Sequence, residues 1–225
     1  MFYELIIVSQ SNKLLIPFTQ QTIDTARADT KDINVIIVET GNPYKYDVDR
    51  IIEYNGEFCY NRALNMGLKY AKGDVHILAN NDIYFHPGWS KIGEMMQLNG
   101  YHSASAYAPH LKMFEVGDHI YEGYHVGYVF TGWCLFMDKY CHEKIGKLDE
   151  SVMFWFSDNL YALQLEVAGI KHAMFCNVRV DHLCSQTLSK QPSRLQRQYQ
   201  IGEFNKFVGR QKYYKECLRR KSVPV

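Results

Sequence analysis

The chain has no run approaching the roughly 20 consecutive apolar residues of a membrane-spanning helix. Its opening, MFYELIIVSQ, carries no basic segment ahead of its apolar residues. These two absences predict a soluble, cytoplasmic protein without a transmembrane segment. Six cysteines, Cys59, Cys134, Cys141, Cys176, Cys184 and Cys217, include no CxxC pair, which argues against a zinc knuckle or a dithiol redox motif and leaves reduced thiols as the expectation. Net charge is scarce too. With 25 Lys+Arg against 24 Asp+Glu, the chain stands at +1, so no global field draws it to nucleic acid or to an anionic membrane. The loop after the first apolar run, Ser9-Gln10-Ser11-Asn12, contains no glycine, unlike a phosphate-cradling loop. His102, His110, His119 and His125 never fall at the i,i+4 spacing of helical metal ligands.

What is present is a core. Of the 225 residues, 47% are hydrophobic and 14% aromatic, enough for one sizeable domain. Residues 3–8 read as a first, central strand, residues 14–28 as a helix, and residues 33–38 as a second strand closed by Glu39-Thr40-Gly41-Asn42-Pro43. Strand, helix, strand at this length is a right-handed parallel unit, which brings Ser9 and Glu39 to one rim. A short strand is expected over residues 50–54.

The most informative stretch runs from residue 58 to 89. Residues 61–72 read as a helix ended by Lys72-Gly73, and Val75-His76-Ile77-Leu78-Ala79 as a buried strand that stops at Asn80-Asn81-Asp82. Two amides and a carboxylate at a strand's carboxyl end are oxygen donors on the edge where open α/β folds bind ligands, and they suit a hard cation or a diphosphate. A polar turn after a buried strand is the plainer alternative. Further on, Pro87-Gly88-Trp89 leads into a helix through Met95-Met96, and residues 101–127 read as an irregular insertion with a hairpin. A strand emerges from Thr131-Gly132-Trp133, a short helix covers residues 139–145, and another opens at Asp158 and closes at Gly169. A strand over residues 171–180 precedes Asp181-His182. Residues 192–221 form a polar, basic helix with Arg194, Arg197, Lys206, Arg210, Lys212, Lys215, Arg219, Arg220 and Lys221. Such a run is most simply a solvated face.

Taken together, Asn65 and Gly67 on the helix, Ala71-Lys72-Gly73-Asp74, the apolar strand and Asn80-Asn81-Asp82 resemble the GT-A fold glycosyltransferases, in particular the inverting family 2-like group. A second block fits the same pattern: Gly146-Lys147-Leu148-Asp149-Glu150, an aromatic segment, Ser157-Asp158, and Gly169. The resemblance covers roughly residues 3–190. Three positions depart from it: Asn80 replaces the first acid of the DxD motif, Ser157 the usual glutamate before Asp158, and Gln164 a frequent arginine.

The resemblance implies a Rossmann-like, mostly parallel α/β sheet flanked by helices, with residues 1–190 as the glycosyltransferase domain and 191–225 as a basic helical extension packed on it. It implies a nucleotide-sugar donor, with a UDP-sugar the expected one, and Mn²⁺ or Mg²⁺ as cofactor. Asp82 and His182 would be the metal ligands. Ser9, Glu39, Arg62, Asn65, Asn80, Asn81, Gly132 and Trp133 would line the nucleotide-sugar site, Glu39 through the nucleoside base or ribose. Asp158 would be the base that takes a proton from the acceptor hydroxyl as the anomeric centre inverts.

Each position has an ordinary alternative: a solvated loop charge at Glu39, an exposed helix arginine at Arg62, an N-cap at Asp158, a turn histidine at His182. The expected acceptors are a glycan or a lipid-linked sugar, with a hydroxymethylated DNA base kept open by the basic carboxyl-terminal helix. Two other readings remain: a non-catalytic nucleotide-sugar-binding module, motivated by the three departures, and a nucleotidyltransferase of similar fold.

Overall fold

The computed structural model describes residues 1–111, 114–183 and 193–221, with the side chains of 193–199 and 221 outside the description. Strand β1 (Tyr3–Ser9) is buried at all seven positions, with the apolar run over residues 5–8 facing a core on both sides of the sheet. Tyr3, Leu5 and Ile7 point into one core, and Ile6 and Val8 into the other. β2 (Ile33–Glu39) and β4 (Val75–Asn80) flank β1 in parallel, and β3 (Arg50–Glu53) extends the sheet beyond β2. The register pairs Ser9 with Glu39 and Val8 with Asn80, so three carboxyl ends share one rim.

Beyond β4 the pairing changes. The order is β3-β2-β1-β4-β8-β6-β9-β5, with β7 (Ile120–Glu122) paired to β9 (His172–His182). β8 (Cys134–Asp138) runs antiparallel to β4, β6 (Ser103–Tyr107) runs parallel to β9, and β5 (Ile83–Phe85) runs antiparallel to β9. Helices α1 (Ile16–Asp29) and α3 (Ile92–Asn99) cover one face, and α2 (Tyr60–Leu68), α4 (Lys139–Ile145) and α5 (Ser157–Ala168) cover the other. α2 approaches β1 so closely that a Cβ at Gly67 would overlap the Ile6 side chain. Only glycine allows that contact.

The sheet differs from the sequence expectation at two strands. β6, Ser-Ala-Ser-Ala-Tyr, is buried at every position yet lies within the stretch expected to be irregular. Its residues are mostly small, so it lacks the bulky β-branched signal. β5 follows Asp82 directly, and Asn81-Asp82 is a turn into it rather than the end of the segment. The α2 helix also stops at Leu68, one turn short of the expected Lys72, and Tyr70 and Ala71 bond back to Gly67 and Leu68.

The carboxyl-terminal helix α6 (Ser193–Lys221) lies against α5. Phe207 and Tyr214 join Val152 and Leu160 in a small core, and Phe207 stacks on Phe156 at 5.0 Å and 9°. Buried Glu203 accepts hydrogen bonds from the backbone N–H groups of Met153, Phe154 and Trp155. Arg210, expected on the exposed basic face, instead donates to Asp149 at 2.7 Å and lies over the rings of Tyr213 and Tyr214. The expected domain boundary at 190/191 lies outside the described residues, as do the side chains of Arg194, Arg197 and Lys221. No helix among the described residues is long and apolar enough to cross a membrane.

Candidate functional site

The candidate residues gather where the carboxyl ends of β4 and β9 meet the amino ends of β5 and β8. Asp82 follows β4, and His182 closes β9; the β5–β9 register sets Ile83 opposite His182. Asp82 Oδ1 and His182 Nε2 are consequently 3.1 Å apart, with side-chain exposures of only 6% and 13%. The Leu183 N–H bonds the Asp82 carbonyl at 2.9 Å and locks the turn. Trp133 lies parallel to the His182 ring, 5.4 Å away and tilted by 9°, which fixes the plane of the imidazole. Its carbonyl accepts the N–H of Asn80 at 2.9 Å.

Asn80 is oriented by a residue that the sequence did not single out. Tyr60, the first residue of α2, donates its hydroxyl to Asn80 Oδ1 at 2.7 Å. The amide nitrogen is thereby turned to His182 Nε2, 3.5 Å away. Tyr60 is 7% exposed, and burial, with Cys134, Asp82 and Asp158 nearby, raises its phenol pKa far above the ordinary value. It therefore acts as a fixed neutral donor. No local pattern marks such a tyrosine, because its role exists only once α2 is laid against β4.

Asp158 completes the cluster from the other side. It lies in the first turn of α5, after Phe156 in a left-handed conformation with φ 66°, and its Oδ1 accepts the N–H of Asn159 at 2.9 Å. Desolvation by burial raises its carboxyl pKa above the usual value, outweighing the backbone hydrogen bonds that lower it. Gly132 presses on this side chain. A Cβ built at Gly132 would overlap Asp158 Oδ2 and stand 2.8 Å from Cγ. The segment 132–133 thus touches Asp158 with one residue and His182 with the next, so base candidate and ligand pair are parts of one surface.

The remaining candidates are engaged elsewhere. Glu39, 2% exposed, accepts from the Ser11 N–H at 2.7 Å, the Ser11 hydroxyl, and the Gly41 N–H at 2.8 Å. It ties the loop after β1 to the loop after β2. Ser9 and Asn81 meet Thr19 of α1: the Asn81 amide donates to Thr19 Oγ1 at 3.2 Å, and Ser9 Oγ lies 3.5 Å from the same atom. Arg62 pairs with Glu150 at 2.9 Å on the surface, and Asn65 bridges both directions of the Leu148 backbone at 2.9 Å. These two hold the segment before α5. Gln164, a departure from the resembled pattern, serves the same segment through Lys147 and Asp149.

Asp82 and His182 are a cation-compatible pair of donors, one carboxylate oxygen and one imidazole nitrogen aimed at each other. No group of three or more His, Cys, Asp or Glu suited to a metal occurs among the described residues. Two protein donors still fit a divalent ion that takes its other ligands from phosphate oxygens and water.

A parallel β3-β2-β1-β4 half continued by antiparallel β8, with helices on both faces and this edge at its carboxyl ends, is a GT-A fold. Among solved structures, the chain is similar to the crystal structure of GalNAc-T7 with UDP, GalNAc and Mn²⁺, a GT-A fold glycosyltransferase, with a TM-score of 0.65 over 80% of this chain at 11% identity. The chain spans 43% of the length of that protein. No protein-family model matches the chain, and no curated protein sequence matches it.

Proposed function

We propose that this protein is a glycosyltransferase that moves a sugar from a nucleotide sugar to an acceptor hydroxyl, with inversion at the anomeric carbon. The observation that carries the reading is the single surface formed by Asp82, His182, Trp133, Gly132 and Asp158 at the sheet edge. The neighbour of like fold was solved with UDP and Mn²⁺, which supports a UDP-sugar as the donor and a divalent cation, Mn²⁺ or Mg²⁺, held between Asp82 and His182. When bound, that ion supplies positive charge to the diphosphate as the bond to the anomeric carbon breaks.

The chain's own groups do the rest. Asp158 accepts the proton of the acceptor hydroxyl while that oxygen attacks the anomeric carbon; the C–O bond to the diphosphate breaks, and its electron pair leaves with the nucleotide. A desolvated carboxylate is a stronger base than a hydrated one, which suits this role. Asn80, oriented by Tyr60, turns an N–H group toward the ligand pair. Trp133 holds the His182 ring and, with Gly132, borders the sugar. Ser9, Glu39 and Asn81 shape the rim beside the nucleoside by holding its loops. Arg62 and Asn65 act at a distance, through the segment that leads to Asp158.

The Glu39 contacts weigh against the nucleotidyltransferase reading. The N–H groups of Ser11 and Gly41 that would cradle a phosphate already face a carboxylate. The acceptor reading that best fits is a glycan or lipid-linked sugar, since Arg210 is withdrawn from the basic face on which a DNA acceptor would rest. The non-catalytic module remains the second reading, favoured by Asn80 standing hydrogen-bonded to Tyr60 where an acid would serve a metal. Incubation with a panel of UDP-sugars and Mn²⁺ separates the two. UDP release or transfer supports the enzyme, and donor binding without either supports the module.

A further inference from the structure

We propose that the groove between α2, the start of β4 and α4 is a second ligand site, selective for a phosphate monoester that carries a hydroxyl group. The groove lies at the amino end of β4, behind the sheet edge that holds Asn80 and Asp82. Its volume is about 520 Å³, within the roughly 300–1,000 Å³ common for small-molecule sites. Lys69, Lys72, Lys139 and Lys147 line it, brought together from the end of α2, the turn before β4, and both ends of α4. All four are exposed, and Glu143 is the one acidic residue among the lining groups. The local charge is therefore strongly positive in a chain whose net charge is only +1, and an anion is the matching ligand.

The groove also contains a specific unmet demand. His76 is 2% exposed and lines the groove. Its Nε2 is 3.2 Å from the carbonyl oxygen of Gly73, which can only accept, so Nε2 carries the proton and Nδ1 presents a lone pair. Nδ1 has no hydrogen-bond partner although it is buried. Burial lowers the His76 pKa to about 4, so the ring stays neutral near pH 7 and the lone pair persists. His142, whose ring meets His76 edge-on at 5.0 Å, is likewise held toward the neutral form by burial. Buried polar atoms ordinarily have partners. A ligand satisfying both features must bring oxyanion charge to the lysines and an O–H donor to Nδ1, and a hydroxyl-bearing phosphate monoester brings both. Sulfate brings only the first.

The test uses the full chain at pH 7.5, titrated with ribose 5-phosphate, sodium sulfate and ribose. Binding is read by calorimetry and by long-range ¹H–¹⁵N correlation of the histidine rings. Ribose 5-phosphate should bind at least tenfold more tightly than sulfate and shift the His76 Nδ1 resonance, whereas ribose should show no binding. The Lys69→Gln/Lys72→Gln/Lys139→Gln/Lys147→Gln variant, altered only at exposed positions, should lose at least tenfold in affinity, whereas Asp82→Ala should lose none. His76→Phe should abolish the preference over sulfate; if it fails to fold, the quadruple variant decides. Equal affinity for sulfate, an unmoved His76 signal, unchanged affinity in the quadruple variant, or loss of binding in Asp82→Ala would each overturn the proposal.

Discussion

The two halves of the sheet edge use polar residues in opposite ways. On the β1–β2 side, Ser9, Glu39 and Asn81 turn inward: Glu39 clamps two loops, and Ser9 and Asn81 grip Thr19 of α1. On the β4–β8–β9 side, Asp82 meets His182, Trp133 lies along the His182 ring, and Gly132 lies against Asp158. In the proposed function the first half builds the rim and the second carries the chemistry. The lesson is that polar residues at neighbouring strand ends can serve different ends, some tying loops to a helix and others meeting one another across strands.

The sharpest way to break the comparison is at Asp158. Asp158→Asn should lower transfer by about 10²–10⁴-fold, as loss of a general base does, with near-parental donor affinity by calorimetry. In the parent, transfer should fall as pH drops through a value above the usual carboxylate range, because burial raises this group's pKa. The same shift gives a stability prediction. Between its unfolded and folded pKa values the native state binds more protons than the unfolded state, so stability falls as pH rises through that window and stays reduced above it. Asp158→Asn should therefore melt at a higher temperature than the parent at pH 7.5, and below both pKa values the difference should vanish. Parental turnover in this variant would reduce Asp158 to a helix cap.

On the opposite half, Glu39→Ala removes the acceptor of three buried donors and should cost roughly 3 kcal/mol of stability by denaturant melts. Turnover measured well below its melting temperature should stay within about threefold of the parent, an effect no larger than one weakened hydrogen bond. If turnover instead collapses while the melt is unchanged, the division between rim and chemistry is wrong. Gly132→Ala tests the contact that joins Asp158 to the ligand pair. The added methyl group must displace the carboxylate, and a misplacement of that kind lowers turnover by about 10²-fold, with donor affinity little changed. The smallest expected effect is at Tyr60. Tyr60→Phe removes one hydrogen bond to Asn80, about 0.5–1.5 kcal/mol, and should lower the melting temperature by only a few degrees while weakening donor affinity by no more than about tenfold.

Much of this architecture was legible in the sequence because it rests on periodicity and on strand ends. The apolar runs of β1, β2 and β4 are long and uniform, and the polar residues that stop them mark the rim. β6 was not legible, since alternating Ser and Ala carry little hydrophobic signal, and its place is fixed by pairing with β8 and β9, which come later in the chain. Within the site, Asp82, Asp158 and His182 could be picked out from the resembled spacing, and the structure brings Asp82 and His182 into contact, with Gly132 and Trp133 linking them to Asp158. The engagement of Glu39 by Ser11, and of Arg210 by Asp149, depends on residues distant in sequence. Tyr60 was missed for the same reason.

The central claim, that the β4–β8–β9 edge transfers a sugar from a nucleotide donor, is tested most directly by UDP release from a panel of UDP-sugars with Mn²⁺ or EDTA, comparing the parent with Asp82→Ala. The account predicts release by the parent with at least one donor, its loss in EDTA, and its loss in Asp82→Ala with the fold retained. Donor binding without release by the parent, or equal release by parent and Asp82→Ala, would contradict it.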